Sequence, residues 1–131
     1  MLEGIAYLHE NQVCHRDIKP SNILITKDKK NVFLVDFNVA KKVKEGDNLI
    51  MFTKTAGTLA FAAPERLTEN CIYNEKVDMW ASGIVLFMLL IGSHPFESNG
   101  STVHLFEQIM KGEEVVRQAL EKFDNVSPTA K

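Results

Sequence analysis

His15-Arg16-Asp17-Ile18-Lys19-Pro20-Ser21-Asn22 is the stretch on which the reading of this chain turns. It sets a carboxylate, an ammonium and an amide within the six positions from Asp17 to Asn22, in what reads as one loop. Phosphoryl transfer calls for that set of groups. A carboxylate takes the proton of an attacking hydroxyl, a cation steadies the phosphate in transit, and a neutral oxygen helps to hold magnesium. Before the loop, Leu2, Ile5, Ala6 and Leu8 recur at helical spacing and predict a helix with one apolar stripe from Met1 to about Asn11. After it, Ile23-Leu24-Ile25-Thr26 and Val32-Phe33-Leu34-Val35 flank the polar turn Lys27-Asp28-Lys29-Lys30-Asn31, which predicts a hairpin. The hairpin carries the chain back to Asp36-Phe37-Asn38 beside the loop, so a second carboxylate is expected near the first.

Residues 38–55 are polar and Lys-rich and contain Glu45-Gly46-Asp47-Asn48, the composition of a mobile loop. Gly57-Thr58-Leu59-Ala60-Phe61-Ala62-Ala63-Pro64-Glu65 follows, and Asp78-Met79-Trp80-Ala81-Ser82-Gly83 opens a strongly apolar segment. The segment at about 74–91 is apolar on most faces and predicts a buried central helix, stopped by Gly92-Ser93-His94-Pro95. Two shorter helices are expected near 102–111 and 114–123. The eight apolar residues from Ile84 to Ile91 fall far short of the roughly 20 needed to span a bilayer.

H-R-D followed by four residues and Asn, then D-F, then A-P-E, then D-x-W, is an ordered set of motifs. In it the chain resembles a eukaryotic Ser/Thr protein kinase along essentially its whole length, residues 1–131. The resemblance covers about half of a kinase domain. It implies a mainly α fold like the kinase C-terminal lobe, with a small β-hairpin bearing the metal-binding Asp36 and helices around a buried central helix. Within it, residues 13–22 resemble the catalytic loop and 36–65 the activation segment.

By the same resemblance, Asp17 is similar to the catalytic base and Lys19 to the lysine that steadies the γ-phosphate, a position typical of Ser/Thr rather than Tyr kinases. Asn22 and Asp36 resemble the magnesium ligands. Arg16 is similar to the arginine that grips an activation-loop phosphate, for which Thr53 and Thr55 are candidate sites and an upstream kinase the implied partner. Thr58 and Glu65 resemble residues of the substrate-docking loop. Asp78 is similar to the helix aspartate that holds the catalytic-loop backbone, and His15, Trp80 and Gly83 are structural. Ala60-Phe61 ahead of A-P-E points to the calcium/calmodulin-dependent group. ATP and Mg2+ are the implied cofactors, and proteins bearing Ser or Thr hydroxyls the implied substrates.

The chain departs from the pattern at Asn38, where the family has the glycine of D-F-G. Asn is the next most tolerant of a positive φ, so Asp36 is expected to keep its role while the motif flips less freely. None of the seven glycines builds a G-x-G-x-x-G, and no V-A-I-K strand precedes the loop. The N-terminal lobe is therefore expected to be absent, the chain alone nearly inactive, and both ends to be cuts within a longer domain. A non-catalytic kinase-like binding module, pseudokinase or decoy, is the alternative. A small-molecule kinase is a third reading, disfavoured by Ala63-Pro64-Glu65 and the Asp78-x-Trp80 helix.

Hydrophobic residues make up 45% and charged residues 24%, with a formal charge of -2, ordinary values that give no reason to expect nucleic acid or an anionic membrane as partner. Cys14 and Cys71 follow no metal or redox spacing, which fits reduced thiols and an intracellular, cytoplasmic protein. His9, His94 and His104 are scattered and are expected in surface or capping roles.

Overall fold

The computed structural model describes residues 1–45, 48–49, 51–52, 56–69, 71–96 and 98–122. The chain forms two compact units, Met1–Ser82 and Gly83–Lys131.

The first unit begins with α1, Leu2–Glu10. No side chain caps its start at Met1. Its end is turned by Gln12, whose φ of 62 is left-handed. Of the expected stripe only Ile5 is buried, while Leu2 is 55% exposed and Ala6 is exposed as well. Helical spacing marks a face; a covering element has to come from elsewhere in the fold.

The predicted hairpin is present. β2, Ile23–Ile25, pairs antiparallel with β3, Val32–Leu34, in the register Ile23↔Leu34, Leu24↔Phe33, Ile25↔Val32. The turn closes through Thr26 N–H to Asn31 O (3.0 Å) and Lys29 N–H to Thr26 O (2.8 Å). Lys29 takes the left-handed position, φ 58.

Within the loop expected over 38–55, described residues pair in short strands, while 46, 47, 50 and 53–55 lie outside the described residues. β1, Val13–Cys14, pairs antiparallel with β4, Lys41–Lys42. β5, Lys44–Glu45, pairs with β6, Asn48–Leu49. Val43 between them is 5% exposed, and its N–H bonds Gln12 O (2.8 Å). One buried valine anchors a segment whose lysines remain in water. It joins Cys14, Phe52, Ala63, Cys71, Tyr73 and Val77 in the core cluster, with Trp80 packed against it.

The long helix α2 runs Lys76–Ile91, with the boundary between the units inside it. It starts two residues later than expected because Asn74 Oδ1 accepts from Lys76 N–H (3.0 Å). It ends as expected, with Gly92 at φ 83 donating to Met88 O (2.9 Å), the usual use of glycine after a helix. Val77, Asp78, Ala81, Ser82, Ile84, Val85 and Phe87 are buried. Met79, Leu86, Leu89 and Leu90 are not, and Leu89 is 76% exposed. The expected buried central helix is thus buried on one face, while Met79, Leu86, Leu89 and Leu90 lie exposed on the other.

In the second unit α3, Thr102–Lys111, is capped by Ser101 Oγ, which accepts from His104 N–H (3.3 Å). Gly112, φ 41, separates it from α4, Glu113–Glu121, and the expected end at Phe123 lies outside the described residues. Among the described residues no helix is long and apolar enough to cross a membrane.

Candidate active site

Asp78 sits in the first turn of α2 and is 1% exposed. Its Oδ2 accepts the backbone N–H of His15 (2.8 Å) and its Oδ1 that of Arg16 (2.8 Å). His9, from the end of α1, adds Nε2 at 2.9 Å from Oδ2. An ionised carboxylate only accepts, so Nε2 of His9 carries the hydrogen. Burial works to raise the Asp78 pKa, but the bonds from His9, His15 and Arg16 outweigh it and hold the carboxyl below the usual range. Burial and the neighbouring Asp78 charge push the Cys14 thiol far up, so Cys14 is an inert core residue.

With its backbone pinned, the 15–22 loop presents Asp17. Thr58 gives Oδ1 both its N–H (2.8 Å) and its hydroxyl (2.9 Å). Lys19 Nζ lies 2.8 Å from Oδ2 and also donates to Thr58 Oγ1 (2.8 Å). Asn22 Nδ2 donates to Asp17 O (2.9 Å) and Oδ2 (3.1 Å). Desolvation would raise the pKa of Asp17, but Lys19 and Thr58 prevail and lower it. The group is an ionised carboxylate held in one orientation beside an ammonium.

Gly57 makes this approach of the 57–58 backbone feasible. Its φ is 82, and a Cβ there would lie 2.4 Å from Arg16 O and 2.9 Å from Asp17 Oδ1. Only glycine fits.

The hairpin brings Asp36 to the same place. Val35 N–H donates to Asn22 O (3.0 Å) at the end of the β2–β3 ladder, so Asp36 is one residue past the partner of Asn22. His15 bridges from the other side, with Nε2 3.1 Å from Val35 O, Nδ1 accepting from Asp17 N–H (3.3 Å), and its ring 4.7 Å from that of Phe37. His15 is fully buried, a packing residue in its contacts. Asp36 itself is exposed and left-handed, φ 64. The positive φ thus falls on the aspartate rather than on Asn38, so the missing glycine costs no backbone strain at its own position.

With Nδ2 of Asn22 committed to Asp17, Asn22 Oδ1 and the Asp36 carboxylate are the oxygens that could hold a metal. Two hard oxygen donors suit Mg2+, which takes one or two protein ligands and completes its shell with phosphates and water. Among the described residues no group of three or more His, Cys, Asp or Glu side chains forms a metal cage.

The remaining expected residues divide. Arg16 is 7% exposed, with Nε donating to Val39 O (2.6 Å) and Nη1 reaching Tyr73 OH (3.4 Å). Glu65 is exposed in the short 3-10 turn Pro64–Arg66. Trp80 packs on the core. Gly83 is exposed, and a Cβ there would meet nothing within 4 Å. Thr53 and Thr55 lie outside the described residues.

Sequence reasoning missed His9, expected in a surface or capping role, which pairs with an aspartate 69 residues away. It also missed Arg66, 4% exposed, whose Nη1 donates to Arg16 O (3.3 Å), and the ring pair Phe52–Tyr73 beside Arg16. No local pattern announces such long-range partners.

The family model described as the protein kinase domain matches residues 1–131. The chain belongs to that family. It is 42% identical over 113 residues to a probable myosin light chain kinase of Dictyostelium discoideum, covering 86% of this chain and 22% of that protein. It is 41% identical over 115 residues to the human serine/threonine-protein kinase H1, covering 86% and 26%. The Arabidopsis thaliana serine/threonine-protein kinase PEPKR2 is 46% identical over 105 residues, covering 80% and 21%. The chain thus spans 26% or less of the length of these relatives.

Proposed function

We propose that this chain is the catalytic, C-terminal lobe of a Ser/Thr protein kinase, and that the protein containing it transfers the γ-phosphate of ATP to Ser or Thr hydroxyls of protein substrates. The observation that carries the reading is the closed triangle of Asp17, Lys19 and Thr58, with Nζ 2.8 Å from both a carboxylate oxygen and the threonine hydroxyl. Asp17 orients the substrate hydroxyl and accepts its proton. Its lowered pKa keeps it ionised and ready to accept, while positioning and charge supply most of the acceleration in a loose phosphoryl-transfer transition state. Lys19 faces the negative charge of the transferring group. Thr58 ties the 57–65 segment, where a substrate peptide would dock, to the base. Asn22 Oδ1 and Asp36 would hold magnesium, which would supply neutralisation of phosphate charge. Asp78 acts through the loop backbone. The relatives named as serine/threonine kinases support the substrate class, and two cysteines with no metal or redox spacing fit an activity located in the cytoplasm.

The test is phosphoryl transfer from Mg-ATP to a Ser/Thr peptide by the full-length protein and by its Asp17→Ala variant. Loss of at least about a thousandfold in kcat is expected on removing an oriented proton acceptor together with its charge. A variant that keeps wild-type turnover would sink the assignment.

A further inference from the structure

Arg16 is a buried cation whose side-chain contacts among the described residues are a carbonyl, a hydroxyl and an aromatic ring. Besides its bonds to Val39 O and Tyr73 OH, its guanidinium carbon lies 5.1 Å from the centre of the Phe52 ring. Phe52 and Tyr73 are fastened to each other. Phe52 N–H donates to Tyr73 O (2.9 Å) and Tyr73 N–H to Phe52 O (3.1 Å), and the rings are 5.3 Å apart. Both residues are nearly fully buried, at 3% and 2% exposed.

The backbone of Arg16 is left-handed, φ 68, a conformation that a bulky residue keeps only where its surroundings over-determine it. Asp78 holds its N–H and Arg66 its carbonyl. The side chain completes the set by docking on Val39, Phe52 and Tyr73. The residue directly before Asp17 is therefore fixed from both backbone and side chain.

We propose that Phe52 and Tyr73 are positioning residues for Asp17, acting through Arg16, and that this aromatic seat orders the candidate catalytic loop without a phosphate on the 36–65 segment. The proposal rests on the phosphotransfer reading of Asp17. Arg16 has already left water, and the Phe52 ring face, the Tyr73 hydroxyl and the Val39 carbonyl replace that hydration. A planar guanidinium makes both contacts at once, where an ammonium could not.

The experiment uses the full-length protein, treated with phosphatase until mass spectrometry finds no phosphothreonine. Treated wild type is expected to keep its rate within about twofold. Phe52→Leu, which keeps a buried apolar group but loses the ring face, should lower kcat about tenfold with the peptide KM unchanged. Phe52→Tyr, which restores the ring, should recover most of it. Arg16→Lys, which could still pair with a phosphate, should behave like Phe52→Leu, and it serves as the second variant should Phe52→Leu fail to fold. Amide exchange at Arg16 and Asp17 should quicken in each loss variant. Inactivation by phosphatase, or variants whose kcat and exchange match wild type, overturns the proposal. If wild type shows no Asp17-dependent transfer even before treatment, the phosphotransfer reading fails on its own. Exchange then still decides the seat: quickened exchange supports it, unchanged exchange overturns it.

Discussion

Replacing Asp78 by Asn keeps the size of the side chain and removes its charge. The carboxylate accepts the N–H of His15 and of Arg16, each at 2.8 Å, and Nε2–H of His9 at 2.9 Å, while only 1% exposed. Turned to the Oδ2 position, the amide oxygen still accepts from His15 N–H and His9, and the NH2 then faces the Arg16 N–H, donor against donor. A stripped buried donor costs about 1–3 kcal/mol, and a charge-assisted bond reduced to a neutral one about 1 kcal/mol. The expected loss is therefore about 2–4 kcal/mol. For a chain of this size that lowers Tm by about 8–16 °C. Thermal unfolding followed by Trp80 fluorescence gives the shift, and amide exchange at His15 and Arg16 locates it.

The same carboxylate sets a pH dependence. Its folded pKa is depressed, so its contribution is complete above the unfolded value of about 3.9 and is lost as pH falls from there through the folded value. Wild type should lose stability over that acid window and Asp78→Asn should lose less. A Tm shift under about 2 °C, with unchanged exchange at the two amides, would refute the idea that Asp78 holds the loop.

Two further outcomes are expected. Gly57→Ala forces a Cβ to 2.4 Å from Arg16 O at a φ of 82, so the 57–58 backbone must withdraw from Asp17. A loss of at least about 2 kcal/mol in denaturant unfolding is expected, and a neutral result would mean that the close approach is not real. Lys19→Met removes the ammonium that helps to lower the Asp17 pKa, so that pKa rises and the acid limb of kcat/KM moves to higher pH. An acid limb that stays in place would show that Asp17 does not titrate in that limb.

Much of the local architecture was legible in the residues themselves. Two β-rich runs around a polar turn form a hairpin because cross-strand pairing needs only neighbouring sequence, and Ile23↔Leu34 to Ile25↔Val32 closes as expected. Gly92 ends α2 because glycine alone reaches its backbone angles cheaply. The motif spacing from Asp17 to Asn22 fixes the candidate chemistry, since a short loop leaves those groups few places to go. Composition misled where one residue outweighed its neighbours, as Val43 does in drawing a lysine-rich segment into β-pairing. Apolarity alone does not choose the buried face, which on α2 takes Ile84 and Val85 and leaves Leu86 and Leu89 exposed.

The working geometry belongs to the tertiary structure. Asp78 reaches the loop across 62 and 63 residues, Thr58 reaches Asp17 across 41, and His9 reaches Asp78 across 69. Such contacts leave no periodicity in the chain. They exist because the fold places buried donors and acceptors where each must find a partner. Sequence alone named the groups that could carry the chemistry. The fold decided their distances, their charge states and what holds them still, since those depend on neighbours that only a folded chain can bring together.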